Sequence, residues 1–217
     1  MNDKQVQTDL PVPLARLDLY NEAIIMTRFG HRSNTSYPVS IYDLAAAFGT
    51  LPASSGFLPR NTLFHGRNRG QEFVGVFIPA QKQMVRVEET TMTIPLPPAI
   101  FIGCGKQYVI HALSSYPQSS RATLYRYPSP NVFLPSGDKA CDGRICAGDT
   151  PFPTCSIKSI MPAFSLFIES KFNRHLALQK CRSFPNNIIE LWKTLDGQEQ
   201  FPLSELIPST ANLRTWV

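Results

Sequence analysis

The spacing of apolar positions changes along the chain, and each change predicts a different kind of element. From Leu14 to Leu19, apolar residues interleave with Arg16 and Asp18, and the apolar run from Ala23 to Met26 follows. This predicts one or two strands, with Asn21 and Glu22 turning the chain between them. In "SYPVSIYDLAAAFG", Ile41, Leu44, Ala45 and Phe48 recur at helical spacing, with Pro38 or Ser40 as the start signal and Gly49 as the stop. A short helix is expected there.

From 57 to 113 the pattern is that of strands. Phe73 to Ile78 and Met84 to Val87 flank "PAQKQ" and are expected to form a hairpin; the proline-broken "TIPLPPAIFIG" follows, and "QYVIHAL" and "RATLYRYP" supply two more strands. The middle of the chain therefore reads as a meandering antiparallel sheet. After residue 156 helical spacing returns: Ile160, Phe164, Phe167 and Ile168 share one face, and "NNIIELWKTLDG" ends on a glycine suited to a helix stop. One helix, then a sheet, then helices is the segregated order of an α+β fold. Residues 127–156 carry little regular patterning, and a loop of that length in a compact domain is expected to be a working segment. No repeat or low-complexity linker divides the chain, so a single domain is expected over 13–217, with residues 1–12 disordered.

Composition narrows the classes. The chain has 217 residues, 43% of them hydrophobic and including 14 Phe and 7 Tyr, enough for a core without staples. Its net charge of +5 comes from 21 Lys and Arg against 16 Asp and Glu, scattered singly apart from Arg67 and Arg69. Without aromatics on a basic face, no nucleic-acid partner is expected. The five cysteines, Cys104, Cys141, Cys146, Cys155 and Cys181, are odd in number, and the N-terminus has no signal-peptide pattern. Free thiols in a reducing, cytoplasmic setting are expected. No apolar run approaches the roughly 18 residues of a spanning helix, so no membrane association is expected either.

The long loop holds the candidate chemistry. "CDGRICAGD" places Cys141 and Cys146 among turn formers and charges. Around Cys146, Gly143 and Gly148 allow close backbone approach. Arg144 reads first as a surface arginine and second as a cation that would lower the thiol pKa. A thiol with a pKa of about 8.5 is a few per cent thiolate at neutral pH, which suffices against an activated thioester without a histidine base. Three other readings stand beside this one. Cys146 could be an incidental packed thiol; Cys141, Cys146 and Cys155 could bind zinc with His175, although tight C-x2-C knuckles are missing; or Cys146 and His175 could form a hydrolase pair. His65, His111 and Trp192 read as structural.

The run "YVIHALSSYPQSSRATLYRYPSPNV", then "DGRICAGDTPFP", then "AFSLFIESKFNRHL" resembles the PRTRC system protein B family, a prokaryotic branch similar to ubiquitin-conjugating enzymes. The matching positions are Ala112 and Leu113, Leu124 and Tyr125, Pro130 to Val132, Gly143 to Gly148, and Phe167, Ser170, Phe172 and His175. The resemblance implies a ubiquitin-conjugating-enzyme-like fold: an N-terminal helix, a meandering antiparallel sheet, a long active-site loop and C-terminal helices. It also implies a transferase without cofactor or metal. Cys146 would take a ubiquitin-like protein as a thioester from an adenylating activating enzyme, and an amine on a target protein would receive it. Asn131 would polarise the thioester carbonyl, and Asp142 or Asp149 would orient or deprotonate the amine. Two departures stand out: Ser129 occupies the position of the family's turn histidine, and the interval of 15 from Asn131 to Cys146 is long. By interval Cys141 fits better; by its Gly-Arg-Ile-Cys context Cys146 does. The resemblance further suggests a bacterial cassette, mobile-element or antiviral in role, with a metal-dependent deconjugating peptidase. The competing functions are a non-catalytic scaffold for a ubiquitin-like protein and a hydrolase using Cys146 and His175.

Overall fold

The computed structural model describes residues 14–21, 23–30, 33–49, 56–68, 70–135 and 142–216. They belong to two compact units, Met1–Gly56 and Phe57–Val217, within the stretch that the sequence reads as a single domain. The expectation of disorder over residues 1–12 lies outside the described residues.

In the first unit, β1 (Ala15–Leu19), β2 (Ile24–Phe29) and β3 (Asn34–Val39) form an antiparallel sheet in that order. The helix α1 (Ile41–Gly49) follows directly. Of its two candidate start signals, Ser40 is the cap: its hydroxyl oxygen accepts from the Asp43 N–H at 3.0 Å and donates to the Asp43 carboxylate at 2.7 Å. Pro38 belongs instead to β3, an edge strand where a missing N–H costs least.

The second unit holds β4 (Thr62–Asn68), β5 (Gln71–Ile78), β6 (Gln81–Val87), β7 (Thr90–Leu96), β8 (Ala99–Cys104), β9 (Gln107–Ala112), β10 (Tyr125–Arg126), α2 (Ile160–Ile168), β11 (Lys171–Phe172) and α3 (Ile188–Leu195). They form a five-stranded sheet in the order β10-β9-β8-β5-β4 and a three-stranded sheet in the order β11-β6-β7, antiparallel except for β11 on β6. The chain is thus mixed α+β with mostly antiparallel strands and few helices, an arrangement compatible with an E2-like fold.

The expected hairpin between Phe73–Ile78 and Met84–Val87 does not form. β5 pairs with β4 and β8, whereas β6 pairs with β7 and β11. Pro79 and Ala80 carry the chain from one sheet to the other, and Pro97 and Pro98 bring it back. Neither link has the asparagine or glycine pair of a tight hairpin turn, and proline lacks the N–H that would continue a ladder. The strand expected in "RATLYRYP" shrinks to the two residues of β10.

β8 explains why the five-stranded sheet needs cover on both faces: its residues from Ala99 to Ile102 are at most 1% exposed. Phe101 meets Phe164 of α2 edge-on at 5.4 Å and stacks on Tyr108. Ile100 and Ile102 pack on the opposite side with Leu113, Leu124 and Leu213. A continuous apolar run is what a strand buried on both faces requires. At the other end, α3 is capped by the Asn187 side-chain Oδ1, which accepts from the Ile189 N–H at 3.1 Å. α3 buries Trp192 edge-on against Phe172, which in turn meets Phe167. Among the described residues, no helix is long and apolar enough to cross a membrane.

Candidate active site

The long loop between β10 and α2 is shaped by backbone pairing along the free length of β9. Arg144 bridges Val109; the Ile110 N–H donates to the Gly143 carbonyl at 2.8 Å, and the Ile145 N–H to the Tyr108 carbonyl at 2.9 Å. Outside this segment lies a second one. The Phe133 N–H donates to the Arg144 carbonyl at 2.8 Å, the Gly143 N–H to the Phe133 carbonyl at 3.0 Å, and the Cys146 N–H to the Asn131 carbonyl at 2.8 Å. Asn131 and Cys146 are therefore directly bonded through their backbones. The chain leaves this ladder after Phe133 and returns at Gly143, so the long interval between the two residues is an excursion closed at its base. Such an excursion lengthens a loop at small entropic cost. Cys141, the candidate favoured by interval, lies in 136–141, outside the described residues.

Gly143 is required where the returning segment meets β9. Its φ is +76°, and a side-chain carbon there would stand 2.5 Å from the His111 ring and 2.9 Å from the Ile110 carbonyl oxygen. The next glycine, Gly148, has φ +52° and open space around it. It follows Cys146 in a turn closed by the Thr150 N–H donating to the Ala147 carbonyl at 2.9 Å. Asp149 and Thr150, on this turn, line the same cleft as Cys146.

Cys146 is half-buried and opens into a cleft of about 270 Å³ that is also lined by Asn131, Asp149, Ser170, Lys171 and His175. His175, on the turn after β11, is exposed, and its N–H donates to the Asn173 side chain at 2.8 Å. Lys171, on β11, pairs with Glu89 at 2.9 Å.

Asp142 and Arg144 fall elsewhere. The Asp142 carboxylate is buried and accepts from Ser209 at 2.6 Å and Thr210 at 3.2 Å. It does not line the cleft, so of the two carboxylates Asp149 is the one that shares the cleft with Cys146. Arg144 lies over the Phe133 ring at 4.9 Å. Ser129, at the turn-histidine position, is buried, and its hydroxyl finds no partner among the described residues. His111 is buried behind Gly143; desolvation pushes its pKa down to about 4, with the Asp142 carboxylate and a backbone hydrogen bond with Tyr125 pulling the other way. Cys155 is buried against Gly103, and burial pushes its thiol up to about 11. No group of three or more His, Cys, Asp or Glu that could hold a metal gathers among the described residues.

Two groups hold the Asn131 turn from behind, one of them the Trp192 that reads as structural and the other a lysine that no motif marks. Trp192 of α3 donates its ring N–H to the Pro128 carbonyl at 2.9 Å, and the buried Lys180 donates to the Val132 carbonyl. A lysine in "LALQKC" looks like a surface charge. Only the fold turns it inward.

Comparison with curated proteins, and with solved structures, finds no match. The sequence profile of prokaryotic E2 family D matches residues 39–209, which span α1, both sheets of the second unit, the long loop and the C-terminal helices. The chain belongs to prokaryotic E2 family D, an E2-like family tied to ubiquitin-type conjugation.

Proposed function

We propose that the protein is a conjugating enzyme for a ubiquitin-like modifier, of the PRTRC system protein B type, and that Cys146 carries the modifier as a thioester. The observation that supports this reading is the Asn131–Cys146 backbone pair at the mouth of an open cleft. It sets an amide donor and a half-exposed thiol on adjacent segments of one ladder.

The reaction has two steps. An adenylating enzyme holds the modifier's C-terminal carboxyl as its own thioester. The Cys146 thiolate attacks that carbonyl, the bond to the enzyme's sulfur breaks, and that sulfur leaves as the thiolate. An amine of the target then attacks the carbonyl on Cys146. The carbon–sulfur bond breaks, Cys146 leaves as thiolate, and the proton lost by the amine passes to Asp149 or to water. Negative charge builds on the carbonyl oxygen in between, and the Asn131 amide donates to it. One such donor is typically worth about 10²- to 10³-fold in rate. The modifier, its activating enzyme, a target and a deconjugating peptidase would together make a cytoplasmic bacterial pathway with a defence role.

A second reading draws on His175, which shares the cleft with Cys146: a thiol hydrolase with His175 as base. Incubation with activating enzyme, ATP and ubiquitin-like protein, followed by a non-reducing gel, separates the readings. A thiol-sensitive adduct lost in Cys146→Ser supports conjugation. ATP-independent cleavage of a conjugate supports the hydrolase, and neither activity leaves a binding scaffold.

A further inference from the structure

Lys180 is 1% exposed, and its ammonium donates to the carbonyl of Val132, the residue after Asn131. The pairing around Val132 explains what it does there. Val132 faces Ile145, and the bonds flanking this pair run from the Phe133 N–H to the Arg144 carbonyl and from the Cys146 N–H to the Asn131 carbonyl. Val132 is thus the non-hydrogen-bonded member of the antiparallel pair, so its own carbonyl points away from the Cys146 segment. Val132 is itself 1% exposed, and an unbonded carbonyl there would be costly. Lys180 takes the place of a further strand.

A neutral donor could satisfy a carbonyl, whereas a buried ammonium is expensive. Lys180 has no ion pair among the described residues. Desolvation, together with Arg126 of β10, pushes its pKa down to about 7, and the buried Asp142 opposes this. The peptide group it holds is also the one whose N–H, on Phe133, bonds the Cys146 segment. One peptide plane therefore links Lys180 to the ladder on which Asn131 and Cys146 meet. Lys180 does not line the cleft and cannot touch a substrate there.

We propose that Lys180 is a positioning residue for acyl transfer: by bonding the Val132 carbonyl it fixes the Asn131 turn against the Cys146 segment, holding the Asn131 amide in place for the amine-attack step. This inference rests on the acyl-transfer reading above.

The test uses the full chain, the p-nitrophenyl ester of N-acetylglycine as acyl donor and lysine methyl ester as amine, with the acyl group located on Cys146 by peptide mass. Lys180→Met keeps the length and removes the donor. The expected result is acylation within two-fold of the unmutated protein and discharge to the amine slowed about ten-fold, the low end for a charge-assisted hydrogen bond. The Cys146 and Phe133 amides should exchange with solvent about ten-fold faster by NMR, and Lys180→Arg should restore both measures. Lys180→Gln serves as the donor-bearing variant if the arginine does not fold. Discharge and exchange unchanged in Lys180→Met overturn the proposal. So does a parallel loss of acylation, discharge and unfolding midpoint that no donor-bearing variant repairs. If the unmutated protein takes no acyl group on Cys146, the acyl-transfer reading fails, and Lys180's part in transfer fails with it. Amide exchange then decides the brace alone: unchanged exchange overturns it too.

Discussion

Substituting Gly143 by alanine should be among the most damaging single-methyl changes in the chain, and Gly148→Ala supplies its control. Both glycines have positive φ, +76° and +52°, so alanine at either carries the left-handed backbone penalty of about 1 to 2 kcal/mol. They differ in what surrounds them. At Gly148 the new methyl meets nothing within 4 Å, whereas at Gly143 it lands 2.5 Å from the His111 ring and 2.9 Å from a backbone oxygen of β9. The ring is 1% exposed and has nowhere to go. Overpacking of this kind adds about 1 to 3 kcal/mol, so Gly143→Ala should cost about 2 to 5 kcal/mol and Gly148→Ala about 1 to 2. Urea unfolding of the two variants and the unmutated protein, at matched pH, gives both values. Equal losses in the two, or a Gly143→Ala loss below about 1 kcal/mol, would refute the idea that His111 and β9 wall in the segment carrying Cys146.

Three further outcomes are expected. His111 stays neutral in the fold down to about pH 4 but takes a proton near 6.5 once unfolded, so stability falls as pH drops between those values, by about 3 kcal/mol in full. Unfolding curves of His111→Gln across that window should lack this part of the slope, and an identical slope would contradict the assignment. Trp192→Phe keeps the ring contact with Phe172 but strands the Pro128 carbonyl, and should cost about 1 to 3 kcal/mol by urea unfolding. Asn187→Ala removes the side-chain acceptor that caps α3 and should cost about 1 kcal/mol, with Asn187→Asp restoring most of it.

Much of this architecture is readable from residue spacing, because the signals are local. The apolar run of β8, the helical stripe of α2 from Ile160 to Ile168 and the Ser40 cap each arise from residues close in sequence. The expected β5–β6 hairpin failed for a complementary reason. Which sheet a strand joins depends on distant partners, β8 for the one and β11 for the other, and nothing near Pro79 encodes that choice. The site divides along the same line. Sequence context favours Cys146 and sequence interval favours Cys141; the backbone bond that joins Cys146 to Asn131 comes from pairing between two loop segments, which interval does not encode. Asp142 looks like a site carboxylate by position, yet Ser209 and Thr210, almost seventy residues away, draw it into the interior. Lys180 shows the reverse, a polar residue made internal by a carbonyl that only the folded ladder presents.

The proposed chemistry requires that the Cys146 Sγ is the atom acylated. Protein charged with ATP, activating enzyme and modifier, then digested under non-reducing conditions and mapped by mass spectrometry, should carry the modifier's C-terminal peptide on Cys146 through a bond that hydroxylamine cleaves. An adduct found on Cys141 or Cys104, or one that persists in Cys146→Ala, would contradict it.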